Sequence, residues 1–313
     1  MTIVSRDIAR MHLIRRASIL LSHRVRMHVL GRAPVPLFRR VAGLLFLALA
    51  ALGSTSAGAE VASPWAQGLH SRVRLVAGGS LDGRPLAGVE IALDRGFKTY
   101  WRHPGDAGLP PSFDWSASDN VAAVDVRWPA PKRVEDAGGV SYVYPERVIL
   151  PLVVTPQDPK QPVHLDLTLD YGVCKDICIP AHSTLSLSLP DKAERHAGID
   201  AALAGVPKPR PLGASDDLAV LSAEAIAGDK PRISVLVRRP AGAKPVIFPE
   251  APDSWFVSSP AAGEEPSADR TRFFLTLEER PKDHPGPLPL RLTLVAGETA
   301  IETDVQVELP QKP

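Results

Sequence analysis

The sequence predicts an all-β protein built from two β-sandwiches that follow an N-terminal export signal. Short runs of Val, Leu and Ile alternate with polar residues at period two, which is typical of half-buried strands. The 313 residues include 32 Pro and 23 Gly without a regular period, which favours short strands and turns over long helices. The length suits two domains of ordinary size.

The first 59 residues have the pattern of a signal peptide. Two arginines precede an apolar run over residues 41–52, and Ala57-Gly-Ala59 supplies an A-x-A cleavage site. The run is too short to span a bilayer, and a retained membrane anchor is the alternative. The basic region before the run is long, so Met27 is a candidate for the true start. We expect residues 1–59 to be removed on export.

Loss of this segment makes the protein acidic. Residues 1–59 contain nine Arg and one Asp, which leaves 27 of the 36 basic residues, 34 of the 35 acidic residues and a net charge of −7. No basic patch survives, so we expect no nucleic-acid partner. Export also places Cys174 and Cys178, the only cysteines, in an oxidising compartment where a nearby pair can form a disulfide.

Residues 60–190 are predicted to form the first sandwich. Seven short strands with Gly and Pro between them indicate an immunoglobulin-like arrangement. Trp115 and Trp128 lie near strand ends, where packing at the core or its rim is the ordinary role. A turn-rich loop is expected over residues 101–111. The predicted strands are 71–77, 86–94, 98–102, 121–128, 147–155, 163–171 and 184–189.

The rest of the chain is predicted to be a linker, residues 191–214, and a second β-sandwich, residues 215–313. Residues 192–204 have helical character, and the Pro-rich residues 207–211 are typical of a stiff linker. No cysteine, metal-ligand cluster or nucleotide-binding loop is visible in the second sandwich. Its predicted strands are 219–225, 232–238, 244–248, 255–258, 270–277, 288–295 and 301–309.

The cysteine pair lies between two predicted strands. Gly172, Asp176 and Pro180 interrupt the alternation, so we expect Cys174 and Cys178 in or beside a hairpin-like connection. Their C-x3-C spacing differs from the C-x-x-C of thioredoxin-like folds. They reach disulfide distance only if the loop between them curls back.

Three roles for this pair are open. As a structural bridge it is weak, because a five-residue loop contributes about 2 kcal/mol against about 3 kcal/mol for fifteen residues. As a metal site, two thiolates with His182 would suit a soft ion such as Cu(I), whereas a closed zinc site needs four ligands. Thiol–disulfide exchange requires an attacking thiolate, a resolving sulfur and access for a partner. Lys175 favours a thiolate at Cys174 and Asp176 opposes it, so the nucleophile stays undecided.

Three stretches together resemble the N-terminal periplasmic domain of DsbD-type thiol:disulfide interchange proteins. They are Trp101-Arg-His-Pro-Gly-Asp-Ala-Gly-Leu-Pro-Pro111, Arg147-Val-Ile-Leu-Pro151 and Tyr171-Gly-Val-Cys-Lys-Asp-Ile-Cys-Ile-Pro180. The resemblance covers about residues 65–190 and is nearer to the ScsB-like branch, which is linked to copper tolerance. The second sandwich is similar to the extra β domain of that branch.

The resemblance implies an immunoglobulin-like periplasmic domain in which Cys174 and Cys178 carry the redox chemistry without an organic cofactor. In the family, the pair receives electrons from a membrane-embedded domain and passes them to periplasmic thioredoxin-like oxidoreductases. A cap loop covers the pair, and it corresponds to residues 134–142 here. Glu135 and Asp136 match the family in type, which implies that they tune the pKa values of the cysteines, and a solvated loop without such a role is the alternative.

Two features depart from the family. The aromatic residue that shields the disulfide is replaced near Ala137, so capping is expected to be weaker or to fall to Tyr142 or Tyr144. The sequence also shows neither the transmembrane nor the thioredoxin-like domain, so the electron donor is expected to be a separate protein. The leading hypothesis is an exported protein that passes electrons to or from other periplasmic redox proteins through a reversible Cys174–Cys178 disulfide, as a component of a protein-disulfide oxidoreductase system. The alternative is a binding module, for copper or a protein, with an inert disulfide.

Overall fold

The structure, a computed structural model, describes residues 61–136, 139–228, 230–260, 263–281 and 286–310. The expected signal peptide, with the alternative start at Met27, lies outside these residues. The described residues belong to one compact unit. Within the described ranges no helix is long and apolar enough to cross a membrane.

The first sandwich contains eleven strands in its described residues. They are β1 (Ala66–Gly68), β2 (Ser71–Leu81), β3 (Arg84–Leu93), β4 (Lys98–Gly105), β5 (Ser112–Asp114), β6 (Val121–Val126), β7 (Lys132–Asp136), β8 (Gly139–Pro145), β9 (Arg147–Pro156), β10 (Val163–Cys174) and β11 (Cys178–Leu189). One sheet has the order β1-β2-β3-β9-β6, and the other has the order β11-β10-β4-β8-β7 with β5 beside β10. The predicted immunoglobulin-like β-sandwich is confirmed.

The core of this sandwich follows from the alternation seen in the sequence. Leu165 and Leu167 of β10 are buried, and the polar residues between them are less buried. On β11, Leu187 and Leu185 are their direct cross-strand partners and are also buried. Because successive side chains of a strand point to opposite faces, the two strands present one apolar face to the other sheet.

A short helix, α1 (Ala197–Ala204), follows the first sandwich. The Nδ1 atom of His196 caps its N-terminus by accepting a hydrogen bond from the Ile199 backbone, at 3.3 Å. Ile199 is fully buried against β2, β3 and β9. Gly88 makes room for it, since a Cβ there would lie 3.1 Å from the Ile199 side chain. The helical character of residues 192–204 is therefore confirmed over eight residues.

The second sandwich is built from the remaining described strands. They are β12 (Lys208–Pro209), β13 (Ala219–Ile226), β14 (Arg232–Arg238), β15 (Val246–Glu250), β16 (Phe256–Val257), β17 (Glu264–Ser267), β18 (Arg270–Glu279), β19 (Leu288–Ala296) and β20 (Thr299–Val307). One sheet has the order β12-β20-β19-β15, and the other has the order β13-β14-β18-β16 with β17 beside β18. The Pro-rich segment thus supplies β12, which pairs in parallel with β20.

Phe248 of β15 extends from the second sandwich into the core of the first. Its ring centroid lies 6.0 Å from that of Trp101 and 4.9 Å from that of Tyr142, in edge-on contacts. Beside these rings, Arg102 forms ion pairs with Glu250, at 2.6 Å, and with Glu302. The second sandwich therefore packs directly against the sheet of the first sandwich that carries the cysteines.

Two expectations near the cysteines are wrong in detail. The expected cap loop, residues 134–142, is part of a β7–β8 hairpin in which Asp136 pairs with Gly139. Gly172 and Pro180 do not interrupt their strands, because they pair with each other within β10 and β11. Proline is tolerated there because β11 is an edge strand, where a missing N–H need not cost a bond between strands.

Candidate redox site

Cys174 and Cys178 close the β10–β11 hairpin. The strands stay in register from Val163 and Leu189 to the cysteines, which form the last cross-strand pair. The cysteines form a disulfide, with their Cα atoms 4.2 Å apart. Residues 175–177 form the loop between them. The expected hairpin connection is confirmed, and two long paired strands hold the sulfur atoms in place.

The two cysteines differ in exposure. Cys174 is 1% exposed and packs with Tyr100 and Val143. Cys178 is exposed, as is the loop, in which Ile177 is 74% exposed. Exchange depends on which sulfur an incoming thiolate can reach. This asymmetry favours attack at Cys178, a choice that the sequence left undecided.

Tyr100 contacts the disulfide. Its hydroxyl oxygen lies 2.8 Å from Sγ of Cys178, and the hydroxyl donates because a disulfide sulfur carries no hydrogen. Burial raises the pKa of Tyr100, so the phenol stays protonated at neutral pH. After reduction, the same hydroxyl would donate to a thiolate at Cys178. Such a bond lowers the pKa of a cysteine.

A groove of about 670 Å³ opens beside the disulfide. Both cysteines, Tyr100, residues 107–109, Lys98 and Asp136 contribute to its lining. Nζ of Lys98 lies 2.9 Å from Oδ2 of Asp136. Lys98 is also the cross-strand partner of Cys174. A cation beside the buried cysteine favours a thiolate released from the disulfide at that position.

The sequence placed Lys98 and Tyr100 in a strand but not in the site. Thr99 and Trp101 between and after them are fully buried, so strand alternation assigns Lys98 and Tyr100 to the opposite face. That signal was available from the sequence. The register between β4 and β10, which puts this face beside Cys174, was not.

The two acidic residues predicted to tune the cysteines lie in different environments. Asp136 lines the groove beside the disulfide. Glu135 instead pairs with Nη1 of Arg133, at 2.9 Å, and lines a separate cavity of about 500 Å³ that also includes Lys244 of the second sandwich. The structure therefore brings Asp136, but not Glu135, to the disulfide.

Neither Tyr142 nor Tyr144 shields the disulfide, so of the two expected alternatives the one that assigned capping to these tyrosines is excluded. Both side chains belong to the core of the first sandwich. The Tyr142 hydroxyl donates to Oγ of Ser259, at 2.7 Å, and the Tyr144 hydroxyl donates to a backbone carbonyl, at 2.6 Å. Val143 lies between them and faces Cys174, because strand side chains alternate. The substituted cap position at Ala137 lies outside the described residues.

The two charged residues of the hairpin loop, Lys175 and Asp176, are exposed and line the groove. Nζ of Lys175 lies 5.8 Å from the ring centroid of Phe97, over its face. This contact turns the ammonium group toward an aromatic ring, where the attraction is of cation–π type.

His182 is not brought to the cysteines. It lies four residues beyond Cys178 on β11, which is about 13 Å of strand. Its Nδ1 atom lies 2.7 Å from Oδ1 of Asp170. The proposed Cu(I) ligands are therefore not assembled, and the described part of the chain shows no group of three His, Cys, Asp or Glu residues placed to hold a metal.

Comparison with known proteins assigns a family to this arrangement. Residues 80–190 match the family described as thiol:disulfide interchange protein DsbD, N-terminal. This part of the chain is a DsbD-type N-terminal domain. The matched range includes both cysteines, Tyr100 and the other residues that line the groove.

A solved structure extends the likeness beyond the DsbD-type domain. The chain is similar to the N-terminal periplasmic domain of ScsB from Proteus mirabilis, with a TM-score of 0.63 and 21% identity over 79% of this chain and 98% of that chain. At this identity the similarity shows the fold. An endo-fucoidan hydrolase of glycoside hydrolase family 107 matches with a TM-score of 0.18 and 11% identity over 69% of this chain and 29% of that chain. A TM-score this low does not indicate a shared fold. Comparison with curated proteins found no match.

Proposed function

We propose that this protein passes electrons between periplasmic redox proteins through reversible reduction of the Cys174–Cys178 disulfide. The observation that carries the proposal is the exposed Cys178 at the end of a rigid hairpin, with the Tyr100 hydroxyl on its sulfur. The DsbD-type domain supports the thiol–disulfide chemistry. The similarity to a periplasmic domain and the signal-like N-terminus support the compartment.

Reduction of the pair would begin at Cys178. A thiolate of a partner dithiol attacks Sγ of Cys178, the Cys174–Cys178 bond breaks, and its electron pair leaves on Cys174. The thiolate at Cys174 is stabilised by nearby Lys98 and takes a proton. The second partner thiolate then attacks the partner sulfur in the mixed disulfide and releases Cys178, which takes the second proton. Two electrons and two protons have then entered this protein, and the partner holds a disulfide.

Delivery of the electrons would be the reverse sequence. The Cys178 thiolate attacks a disulfide of the acceptor, and the acceptor's leaving thiolate takes a proton. Cys174 then attacks Sγ of Cys178 and releases the second acceptor thiol. Because Cys174 is buried, it would react with its neighbour rather than with a protein outside. This gives the exposed cysteine the intermolecular step and the buried one the resolving step.

The partners in this proposal are thioredoxin-like proteins with an exposed dithiol or disulfide, and one of them would draw electrons from a membrane-embedded donor. The apolar surface beside Cys178 supports contact with such a protein. Ile177 is 74% exposed and Leu109 across the groove is 40% exposed. A docked partner would cover both side chains and bring its thiolate to Cys178.

Single-cysteine variants test the proposal. Purified Cys174→Ser and Cys178→Ser proteins are each incubated with oxidised glutathione, and mixed disulfide is measured by intact-mass spectrometry over time. We expect the Cys174→Ser protein, which keeps the exposed thiol, to react at least about tenfold faster than the Cys178→Ser protein.

The same two variants unfolded in denaturant provide the control, because both thiols should then react at similar rates. Equal or reversed rates in the folded proteins would contradict the assignment of Cys178 as the nucleophile. Failure of wild-type oxidised protein to exchange with reduced glutathione would contradict the electron-transfer proposal itself.

A further inference from the structure

The loop after β4 lies against the ring of Tyr100. A Cβ on Gly108 would come within 2.3 Å of Cε1 of Tyr100, so the loop backbone touches the ring. The next residue, Leu109, approaches β10, where a Cβ on Gly172 would lie 3.0 Å from the Leu109 Cβ. Residues 106–109 are thus packed against both Tyr100 and the cysteine-bearing strand. The position of this loop therefore restricts the position of the Tyr100 phenol, which contacts Cys178.

Asp106 anchors the start of this loop with three hydrogen bonds. Its backbone N–H donates to the carbonyl oxygen of Val140, at 2.8 Å. Its Oδ2 accepts from the N–H of Val140, at 3.0 Å. Its Oδ1 accepts from the N–H of Ser259, at 3.2 Å. One carboxylate therefore ties the loop to the β7–β8 hairpin and to the second sandwich.

Ser259 is itself held within the second sandwich. The adjacent Ser258 donates its N–H to the carbonyl of Thr276 in β18, at 2.9 Å, and accepts the Thr276 N–H on its Oγ, at 3.2 Å. The Oγ of Ser259 also accepts the hydroxyl of Tyr142, at 2.7 Å. The Ser259 backbone is thereby a fixed point to which Asp106 is attached.

We infer that Asp106 is a positioning residue through which the second sandwich holds Tyr100 against Cys178 and so sets the reactivity of that cysteine. The inference rests on the proposed function and gives the second sandwich a part in it. The contacts form a continuous path: Ser259 to Asp106, the 106–109 loop to the Tyr100 ring, and the Tyr100 hydroxyl to Sγ of Cys178.

The carboxylate of Asp106 suits the two hydrogen-bond donors beside it. Two backbone N–H groups converge on its two oxygens, so the site needs two acceptors. Asparagine has nearly the same shape but offers one oxygen and one NH₂ group. Its NH₂ group would therefore lie against one of the two backbone N–H donors and could not accept its hydrogen bond. Asp106→Asn therefore loosens the anchor without removing the side chain.

The readout is the ionisation of Cys178, measured by the rate of iodoacetamide alkylation against pH in purified Cys174→Ser protein. The other charged groups that line the groove, Lys98, Asp136, Lys175 and Asp176, are unchanged by the substitution. We expect Tyr100→Phe to move the midpoint upward by about one pH unit, the effect of one lost hydrogen bond to a thiolate. We expect Asp106→Asn to move it upward by about half a pH unit or more.

Asp200→Asn is the matched control, because Asp200 pairs with Arg195 at α1 and takes no part in this path. Its alkylation midpoint should coincide with that of the parent protein. A midpoint for Asp106→Asn equal to that of the control would overturn the inference. So would an unchanged midpoint for Tyr100→Phe, because the path ends at that hydroxyl.

Two milder variants keep the inference testable if Asp106→Asn does not fold. Tyr142→Phe and Ser259→Ala both remove the hydrogen bond between the Tyr142 hydroxyl and Oγ of Ser259. Each should move the midpoint upward by less than Asp106→Asn does. No movement in either would overturn the part assigned to Ser259. Because the titration uses a single thiol, its result is independent of whether the Cys174–Cys178 pair exchanges with glutathione. Failure of the inference and failure of the proposed function are therefore distinguishable.

Discussion

The β10–β11 hairpin of the first sandwich and the β19–β20 hairpin of the second have the same construction and different ends. Both are long antiparallel pairs in continuous register. The β19–β20 hairpin turns through two residues, and Gly297 supplies the positive φ, 62°, that such a tight turn requires. The β10–β11 hairpin ends in the Cys174–Cys178 disulfide and a three-residue loop.

This difference shows where the chemistry of the molecule resides. The strands supply a rigid support in both sandwiches, and only the first places two sulfur atoms at the end of that support. The first also has Tyr100 and Lys98 on a neighbouring strand, beside the sulfur atoms. The second sandwich contributes Phe248 to the core of the first and a hydrogen bond from Ser259 to Asp106, at the start of the loop beside the redox site. It acts by packing and positioning.

The largest expected effect concerns Phe248, which belongs to the second sandwich but packs in the core of the first. Phe248 is 1% exposed between Trp101 and Tyr142. Phe248→Ala should lower the free energy of unfolding by about 3–5 kcal/mol, the usual cost of deleting a buried aromatic ring. Urea titration followed by tryptophan fluorescence measures it. Phe256→Ala, at an exposed position on β16, is the control and should cost far less. Similar losses of unfolding free energy in the two variants would contradict the assignment of Phe248 to the core of the first sandwich.

The next largest effect is the difference in unfolding free energy lost when a buried and an exposed ion pair are removed. Glu90 of the first is 1% exposed and pairs with Arg74, at 2.7 Å, and with Arg147. Asp304 of the second is 69% exposed and pairs with Arg291, at 2.8 Å. Glu90→Ala should cost about 2–3 kcal/mol, because it removes charge-assisted hydrogen bonds from a buried position. Asp304→Ala should cost under about 1 kcal/mol. Equal costs in urea titrations would contradict this distinction.

Removal of the disulfide should affect stability only modestly. The loop it closes spans five residues, so the chain-entropy contribution is about 2 kcal/mol at most. Eleven cross-strand pairs besides the cysteine pair hold the hairpin independently. A Cys174→Ser/Cys178→Ser double variant should therefore remain folded by circular dichroism and lose about 2 kcal/mol or less of unfolding free energy. Loss of the native fold would instead identify the bridge as a structural staple.

The smallest effect concerns pH and the junction of the sandwiches. Burial lowers the pKa of His103 from its ordinary 6.5, against the opposing charges of Glu250, Asp106 and Asp253 and with the support of Arg102. The unfolded chain then binds more protons than the folded one below about pH 6.5, so stability decreases as the pH falls through that range. His103→Gln removes this contribution.

The prediction for His103 is checked by urea titrations from about pH 8 to about pH 5, a range that brackets the ordinary pKa of histidine. The wild-type protein should lose more stability over that interval than His103→Gln does. Parallel pH profiles for the two proteins would contradict a burial-lowered pKa at this site.

The sequence predicted features that depend on local pattern. Alternation located the strands on both sides of the cysteines, and turn residues between them predicted the hairpin. The Ala-rich and charged stretch predicted α1. The family resemblance placed a cap loop at residues 134–142, and there it failed in detail, because cross-strand pairing forms the β7–β8 hairpin.

Contacts between residues that are far apart in the chain could not be predicted from the sequence. Tyr100 and Cys178 are 78 residues apart in the chain, and Asp106 and Ser259 are 153 residues apart. No local pattern specifies such contacts, because they follow from how sheets pair and how the sandwiches pack. The exposure of Cys178 and the burial of Cys174 have the same origin. They arise because Tyr100 and Val143 from neighbouring strands pack around Cys174, whereas Cys178 begins the edge strand β11.

The proposed function requires that the Cys174–Cys178 disulfide exchange electrons rather than act as a structural bridge. The most direct test is its reduction potential, obtained by equilibrating the purified protein with glutathione buffers of known ratio and quantifying free thiols. A value within roughly −120 to −270 mV, the range of known exchange proteins, is the result that we predict. A value below about −300 mV, typical of structural disulfides, would contradict the claim.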